Sequence, residues 1–429
     1  MNARPDTIYA LSSGTPPAAI GIIRVSGPLA AGALAALAGR VPQPRRASYA
    51  RLRHPKSGDL LDHALILFFP GPRTATGEDL CELHVHGGRS VVAAVLEALS
   101  TVPGLRAAEA GEFTRRAFEN GRIDLTEAEG IADLLTAETE SQRRSALAMA
   151  GGALSREIRG WQEQLLAIAA QVEAEIDFSD EGDVGAESAE RWRPALAELE
   201  RDVARALKRP SAERLRDGIR VVIAGPPNAG KSTLMNALAG RDVAITSPLA
   251  GTTRDSIEAP VSLGGYPFIL IDTAGLRESQ DMIEAIGVER AEAHLEAADV
   301  ILWLGKPDDR PSGPRIIRIS AKSDIAPFEP GADLAVSALG GEGLDRLLAL
   351  LIEISAGMLP AEGEVAINRR HREAFSHAAE SLKNAAHESD LLLVAEELRQ
   401  VRLHFDRVTG QSGVEDMLDA LFGRFCIGK

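Results

Sequence analysis

The stretch GPPNAGKS, residues 225–232, constrains the fold more than any other part of this sequence. It directly follows an apolar run, IRVVIA, and directly precedes STLMNALAG, which has the pattern of a helix. Its glycines let backbone N–H groups turn inward around phosphates, and the start of the next helix adds partial positive charge. Lys231 can reach the terminal phosphates, and the Ser232 hydroxyl can bind Mg²⁺. The sequence therefore predicts a parallel α/β sheet that binds nucleotide phosphates.

Two further phosphate motifs follow in the order typical of GTPases. GTTRD, residues 251–255, lies where a switch loop is expected, and its Thr253 can supply a second magnesium ligand. DTAG, residues 272–275, ends the next strand and brings the Asp272 carboxylate to the metal. Magnesium is thus expected on Ser232, Thr253 and Asp272. The contacts to the nucleotide phosphates and metal predicted from these motifs comprise Asn228, Ala229, Gly230, Lys231, Ser232, Thr233, Thr252, Thr253, Asp272, Thr273, Ala274 and Gly275.

Base selection is expected from AKSD, residues 321–324, in which Ala321 stands where guanine-specific proteins have Asn. Losing one neutral hydrogen bond costs about 0.5 to 1.5 kcal/mol. The charge-assisted double contact from Asp324 to guanine is the stronger discriminator. With Lys322 and Asp324 in place, and VSAL at 336–339 behind the base, we expect GTP to be preferred over ATP.

The residue that orients the attacking water is not evident from the motifs. Many GTPases have Gln directly after the D-x-x-G motif, but this chain has Leu276, which cannot hydrogen-bond. Another polar group must position the water, or turnover is very slow. A nucleotide-binding scaffold with little turnover therefore stays open as an alternative. A ribosome-assembly GTPase is a second alternative, although no basic RNA-binding module is visible.

The pattern of apolar residues along the sequence changes three times. Residues 1–118 alternate β-branched runs with Ala/Leu-rich stretches, residues 119–215 are helical, residues 216–358 are α/β, and residues 359–429 are helical again. We predict a multidomain α/β plus all-α protein in which the P-loop domain is inserted into one discontinuous helical domain. Three helices are predicted from apolar residues at steps of three and four, on Ile158, Trp161, Leu165, Ile168, Val172 and Ile176; on Leu196, Leu199, Val203 and Leu207; and on Leu391, Val394, Leu398, Val401, Phe405 and Val408.

Composition limits the compartment and the partners. The two cysteines cannot form a disulfide framework by themselves, and no long uninterrupted apolar run is present. We expect a cytoplasmic protein without a membrane span. The net charge of −15 opposes nucleic-acid binding over the whole surface, so any RNA contact must be local or delegated to a partner.

Several longer blocks resemble one family. DTIYALSSG, GIIRVSG, TGEDLCELHVHGG, GEFTRRAFENGRIDLTEAEGIADL and the final CIGK, together with the P-loop blocks, are similar in order to the MnmE (TrmE) family of tRNA modification GTPases from residue 6 to residue 429. The resemblance implies an N-terminal α/β tetrahydrofolate-binding and dimerisation domain, a discontinuous helical domain and an inserted Ras-like G domain. It implies a homodimeric, potassium-dependent GTP hydrolase. With the FAD-dependent partner MnmG (GidA), such an enzyme modifies C5 of the wobble uridine, position 34, of tRNA.

The same resemblance implies how hydrolysis is completed. Potassium, bound by Asn228, Ser247, Leu249 and Thr252, takes the part of an arginine finger when two G domains meet. The resemblance also adds Ser247 to the expected contacts with the nucleotide. A cation there would offset the charge that builds between the β and γ phosphates. Glu284 is the implied water-orienting residue, although spacing alone indicates a solvated helix carboxylate. Arg254 and Arg277 join Lys231 as implied catalytic cations.

A one-carbon site is implied in the N-terminal segment. Glu82, with Arg24 and Arg122, matches residues that bind a tetrahydrofolate derivative in its 5-formyl or 5,10-methylene form, and Lys429 is added from the final block. A strand would put Glu82, His84 and His86 on one face, but residues i and i+4 of a strand lie about 13 Å apart, too far for one metal. Cys426 looks structural from its apolar surroundings, whereas the resemblance makes it a reactive or redox group near the folate.

Overall fold

The computed structural model describes residues 6–178, 191–240, 257–273, 293–313, 315–360, 364–412, 415–423, 425, 427 and 428. Their contacts divide them into two compact units. The first unit comprises the described residues of 1–132 and 406–429, and the second those of 133–405. The division into four segments that the sequence pattern predicts stays a prediction.

The first unit contains a six-stranded sheet in the order β3-β4-β5-β2-β1-β6. The strands and helices that begin in this unit are β1 Thr7–Leu11, β2 Ile20–Ser26, α1 Ala30–Ala38, β3 Ser48–Arg53, β4 Leu60–Phe69, β5 Leu80–His86, α2 Arg89–Ser100, β6 Leu105–Ala107, α3 Glu112–Glu119, α4 Leu125–Thr136 and, after the second unit, α13 Glu415–Phe422. The runs AIGIIRV and HALILFF form β2 and β4, as the sequence predicts.

Alternation along the strands decides which face of this sheet is the core. On β5, Cys81, Leu83 and Val85 are buried, whereas Glu82 and His84 between them are half-buried. Helices α1 and α2 contribute Leu34, Leu37, Val95 and Leu99 to the same core as Cys81 and Leu83. Because successive side chains of a strand point to opposite faces, Glu82 and His84 lie on the face away from this core.

The second unit contains the other six-stranded sheet, in the order β12-β11-β10-β7-β9-β8. Its strands are β7 Ile219–Ala224, β8 Ile257–Leu263, β9 Tyr266–Asp272, β10 Val300–Trp303, β11 Ile316–Ala321 and β12 Leu334–Val336. Neighbours are parallel from β12 through β9, and only the edge strand β8 is antiparallel to its neighbour. Pro260 is in β8, where the missing N–H costs no central ladder bond.

The helices that begin in the second unit are α5 Glu140–Ala150, α6 Ala153–Phe178, α7 Arg193–Leu207, α8 Ala212–Asp217, α9 Lys231–Ala239, α10 Leu344–Ala356, α11 Arg369–His387 and α12 Leu391–Thr409. The predicted apolar stripes of α6, α7 and α12 are buried at most positions. Ile176, Leu207 and Leu391 are half-buried because they lie at the ends of their helices. Trp161 packs against Phe375 and Phe405 at ring-centroid distances of 5.3 and 5.6 Å.

Side chains close two of these helices at their N-termini. The Thr139 hydroxyl accepts from the backbone N–H of Gln142, and the Gln142 side chain returns to the backbone N–H of Thr139, a capping box that begins α5. Asn368 and His371 form the same arrangement at α11. Over the described part of the chain, none of the helices has the length and apolar character required to cross a bilayer.

Candidate functional site

The loop between β7 and α9 has the backbone geometry of a phosphate cradle. Gly225, Asn228 and Gly230 have positive φ angles of 151°, 61° and 98°. A Cβ on Gly225 would lie 3.1 Å from backbone atoms of Leu304, so close packing also favours glycine there. The loop then leads into the N-terminus of α9, where Lys231 is the first helical residue.

Lys231 is buried and its ammonium faces the loop itself. Its Nζ donates to the carbonyl oxygens of Gly225 and Pro226 at 3.0 and 2.9 Å. These two bonds hold the lysine head at the position from which it can turn to phosphate oxygens. The predicted neighbours Ala229 and Thr233 lie on the same loop and helix start, half-buried and exposed respectively.

Ser232 and Asp272 meet beside this cradle. The Ser232 Oγ donates to Asp272 Oδ2 at 2.5 Å, and Asp272 is fully buried at the end of β9. A hydroxyl oxygen and a carboxylate oxygen in direct contact are ligands suited to Mg²⁺, which prefers hard oxygen atoms. Thr273 follows and its hydroxyl donates to Ile223 O at 3.1 Å, which fixes the chain between β9 and β7.

Segment 321–324, which is expected to bind the base, is linked to the P-loop by a hydrogen bond from a lysine. Lys322, which also has a positive φ of 58°, donates from Nζ to Asn228 O at 2.8 Å. Next to it lies a cavity of about 100 Å³ with apolar walls that include Ala321, Ala338 and Leu339. Asp324 also lines this cavity and is exposed, so its carboxylate is available to a base.

A larger cleft of about 1170 Å³ lies over the P-loop. Its walls include Lys231, Ser232 and Thr273, which the sequence motifs identify as candidate phosphate and metal contacts. They also include Trp303, Lys306 and Asp309, which the motif analysis does not identify. The signal for these three was topological: Trp303 ends β10 and the other two follow it. Because β10 is parallel to β7 and adjacent to it, the carboxyl ends of both strands share one edge.

Many predicted site residues lie outside the described part of the chain. These are Ser247, Leu249, Thr252, Thr253 and Arg254 of the first switch segment, Ala274, Gly275, Arg277 and Glu284 of the second, and Cys426 and Lys429 near the C-terminus. Of the predicted potassium ligands, Asn228 alone is among the described residues.

The predicted folate residues include an ion pair on the sheet of the first unit. Arg24 and Glu82 are opposite each other on β2 and β5, and Arg24 Nη2 donates to Glu82 Oε1 at 3.0 Å. His84 Nε2 lies 3.1 Å from the other carboxylate oxygen. Burial would raise the pKa of Glu82, but the hydrogen bonds with His84 and Arg24 outweigh it and lower that pKa. Glu82 is therefore an ionised acceptor at neutral pH.

Arg122, the third predicted folate residue, is in the same unit. It is exposed, and its Nε donates to Thr74 O at 3.2 Å rather than to Glu82. Near the C-terminus, Gly428 O accepts a 2.7 Å hydrogen bond from Ser12 Oγ, and Ile427 forms a bridge with Ala110.

Comparison with known proteins gives matches over nearly the whole chain. The MnmE helical domain family matches residues 125–426, and the family described as the GTP-binding protein TrmE N-terminus matches residues 7–122. The tRNA modification GTPase MnmE of Rhizorhabdus wittichii is 58% identical over 428 residues, 99% of this chain and 97% of the relative. The protein of the same name from Erythrobacter litoralis is 55% identical over 425 residues, 99% of this chain and 100% of the relative.

Among solved structures, the G domain of the T. maritima FeoB iron transporter is 26% identical, covers 32% of this chain and 98% of its own, and has a TM-score of 0.24. The family matches and the identity to the two relatives extend through both compact units of the structure. The chain therefore belongs to the MnmE family.

Proposed function

We propose that this protein hydrolyses GTP in the course of tRNA modification. The observation that carries the proposal is the convergence of the P-loop, the Lys231 ammonium and the touching Ser232 and Asp272 oxygens at the start of α9. Relatives that match the chain nearly end to end are named tRNA modification GTPases, which supports the same activity.

In this proposal, some of the described residues bind the nucleotide and others compensate the negative charge of its phosphates. Lys231 leaves the carbonyls of Gly225 and Pro226 for the phosphates of the nucleotide, while loop N–H groups and the α9 N-terminus hold the remaining phosphate oxygens. Ser232 and Asp272 would hold Mg²⁺, which when bound neutralises charge on the β and γ phosphates. Asp324 accepts from the base at the mouth of the apolar cavity, and Lys322 keeps that segment fixed to the P-loop.

We include a preference for guanine in the proposal. The Ala321 side chain offers no hydrogen bond to the base. The Asp324 carboxylate then carries most of the discrimination. Competition between labelled GTP and unlabelled nucleotides tests this: excess ATP should displace little GTP, and equal displacement by ATP and GTP would contradict it.

The proposed hydrolytic mechanism also includes activation by potassium. Asn228, Ser247, Leu249 and Thr252 are the proposed potassium ligands, Glu284 the proposed water-orienting residue, and Arg254 and Arg277 additional cations. The cation would stabilise charge that develops during bond cleavage. Hydrolysis should therefore be faster in potassium than in sodium, and Glu284→Ala should lose turnover while GTP binding is retained.

The tRNA chemistry is proposed from the family and from the Arg24–Glu82 pair. Glu82 accepts hydrogens from the pterin of a tetrahydrofolate derivative, in its 5-formyl or 5,10-methylene form, while Arg24, Arg122 and Lys429 hold its anionic groups. Cys426 is the proposed reactive group near that site. A homodimer working with the FAD-dependent MnmG (GidA) would then modify C5 of uridine 34.

Nucleoside analysis of tRNA from cells that lack this protein tests the function as a whole. The modified uridine should disappear from position 34 and return with the wild-type gene, but not with a Ser232→Ala variant. Unchanged tRNA in the deletion strain would reject the proposal. Normal restoration by Ser232→Ala would instead favour a scaffold in which turnover is dispensable.

A further inference from the structure

Residues 40–56 form a strongly basic segment in an otherwise acidic chain. They include five Arg and one Lys but neither Asp nor Glu, whereas the whole chain has a net charge of −15. The segment covers the loop after α1, strand β3 and the start of the turn to β4. Because β3 is the first strand in the sheet order, it pairs with a neighbouring strand, β4, on one side only. The positive charge is therefore concentrated at one edge of the sheet.

Alternation along β3 brings an aromatic ring and a cation to the same exposed face. Ala50 and Leu52 are buried, whereas Tyr49 and Arg51 are exposed. Side chains two positions apart on a strand share a face and lie about 6.6 Å apart. The tyrosine is 60% exposed, and its ring centroid is 5.7 Å from that of His63 on β4. The phenol ring and the guanidinium group thus lie side by side at the edge of the sheet.

Further arginines are held beside this strand. Arg40 Nη2 donates to Tyr49 O at 2.8 Å. The Arg45 guanidinium lies 5.7 Å from the centre of the Phe69 ring and donates to the carbonyl oxygen of Arg73. We define the β3 basic surface as the exposed residues Arg40, Arg45, Arg46, Tyr49, Arg51 and Arg73.

The positive charge of the β3 basic surface is not balanced by neighbouring carboxylates. None of its five arginines forms an ion pair with a residue that the structure describes, and the hydrogen bonds of Arg40, Arg45 and Arg46 go to uncharged oxygens. The next carboxylates along the chain have other partners. Asp59 accepts from Ser57 Oγ at 2.6 Å, and Asp62 Oδ1 lies 2.8 Å from His86 Nδ1. Clustered like charges repel one another, and a bound polyanion would relieve that repulsion.

The residue types of this surface suit RNA. All five cations are arginines, and a guanidinium group can bind a phosphate through two hydrogen bonds or stack on a base. The exposed Tyr49 ring offers a stacking surface for an unpaired base. The net charge of −15 opposes RNA binding over the rest of the molecule, so a local surface of this kind is what direct RNA contact requires.

We propose that the β3 basic surface binds tRNA, with its arginines on phosphate groups and Tyr49 stacked on an unpaired base. This inference rests on the proposed function in tRNA modification and adds the place where the RNA contacts this chain. The surface is in the first unit, whereas the proposed nucleotide site is in the second.

Binding of a labelled, unmodified tRNA transcript to the full chain, followed by fluorescence anisotropy at several salt concentrations, tests the phosphate contacts. The double variant Arg46→Gln, Arg51→Gln should bind tRNA about tenfold more weakly at low salt. The slope of log affinity against log salt should become shallower by about two, because each lost phosphate contact removes about one. Thermal unfolding should be unchanged, because both side chains are exposed and neither is in an ion pair with a described residue.

Substitutions of Tyr49 test the stacking contact separately. Tyr49→Leu should weaken tRNA binding by about fivefold or more and leave the salt slope unchanged, because a stacked base is lost without a charge. Tyr49→Phe keeps the ring and should bind as the wild type does. Equal losses in the two variants would contradict stacking on this ring.

The matched control is the double variant Arg159→Gln, Arg346→Gln, which makes the same change of net charge at exposed positions of α6 and α10. Its tRNA affinity should stay within about twofold of the wild type, with the same salt slope. If the β3 double variant behaves like this control, or if the wild type shows no salt-dependent tRNA binding, the inference fails. The proposed function would still stand if the wild-type gene restores the modified uridine in the deletion strain.

A lipid surface is the competing polyanion, and sedimentation with vesicles of phosphatidylserine and phosphatidylcholine distinguishes it. We expect little binding of the wild type to these vesicles at a salt concentration where tRNA is bound. Vesicle binding that the Arg46→Gln, Arg51→Gln variant loses, together with unchanged tRNA binding, would assign the surface to lipid and overturn the proposal.

Discussion

At the scale of single residues, the nucleotide site depends on atoms that the fold brings together from distant positions. The Ser232 hydroxyl and the Asp272 carboxylate are 40 positions apart in sequence and 2.5 Å apart in space. Asp272 is fully buried, so its charge has little access to water. A buried carboxylate needs a strong partner, which the hydroxyl and a bound cation together would supply.

Asp272→Asn should therefore impair the magnesium-dependent step. We expect GTP hydrolysis to fall by at least about tenfold at a fixed Mg²⁺ concentration, because a contact to a charged group is worth roughly 1.5–3 kcal/mol. Part of the loss should be recovered as Mg²⁺ is raised. Asp308→Asn makes the same chemical change at an exposed carboxylate of the β10–β11 connection and should leave the Mg²⁺ dependence unaltered. Identical magnesium curves for wild type and Asp272→Asn would count against the proposed ligand.

In the first unit, Glu112 gives a pH-dependent prediction. Burial would raise the pKa of Glu112, but hydrogen bonds from Arg106, the Glu109 backbone and Arg116 hold that pKa below its ordinary value. Its unfolded value is about 4.3. Because the folded pKa is the lower one, the stabilisation is complete above about pH 4.3 and is lost as pH falls through the folded value.

Glu112→Gln should lower the free energy of unfolding at pH 7 by about 3 kcal/mol, because Arg106 and Arg116 lose a shared carboxylate. The difference from the wild type should shrink as pH falls below about 4.3, as measured by denaturant titration at several pH values. Glu119→Gln removes an exposed partner of Arg115 and should cost under about 1 kcal/mol. A Glu112→Gln deficit that stayed constant down to pH 3 would show that packing, not charge, is responsible.

At the scale of elements, sequence reasoning succeeds where one local pattern decides the structure. The strand, loop and helix around GPPNAGKS form β7 and α9, and the apolar steps of three and four predict the buried sides of α6, α7 and α12. The connection after β10 was not predicted, because the bonds that fix it come from Ala224 and from Arg318 of another strand. Charged and polar partners that lie far apart in sequence leave no periodic signal.

The β8–β9 turn contains two glycines whose structural role can be tested. Gly264 and Gly265 have φ angles of 59° and 84°, and Leu263 pairs directly with Tyr266 across them. Two positive φ angles are required in this kind of two-residue hairpin turn. A Cβ on Gly264 would also lie 2.6 Å from Ile352 Cδ1, whereas one on Gly265 would have 3.7 Å to its nearest neighbour.

Gly264→Ala should destabilise the second unit by about 2 kcal/mol or more, since backbone strain of about 1–2 kcal/mol is added to the displacement of Ile352. Gly265→Ala is the matched control that carries the strain without the close contact and should cost about 1 kcal/mol. Thermal unfolding followed by tryptophan fluorescence measures both. Equal losses would mean that Ile352 moves aside freely.

At the scale of the whole molecule, the sequence predicts the local geometry of the phosphate-binding loop better than it predicts contacts between distant segments. The cradle, Lys231, Ser232 and Asp272 follow from motifs whose spacing is fixed by the strand-to-helix turn. The contact of Arg122 with Thr74 could not be foreseen because it depends on how the segment after α3 and the loop after β4 meet. Motifs specify local backbone geometry, whereas such contacts between distant segments depend on the complete fold.

The division into two compact units predicts two separable unfolding transitions. The proposed nucleotide site is entirely in the second unit, so GTP at about 100 times its dissociation constant should stabilise that unit by about 2.7 kcal/mol and leave the first unchanged. All three tryptophans, Trp161, Trp192 and Trp303, are in the second unit. In calorimetry, the transition that GTP raises should therefore coincide with the fluorescence change, whereas Glu112→Gln should shift only the other transition. A single transition that both GTP and Glu112→Gln displace would mean that the two units unfold as one cooperative body.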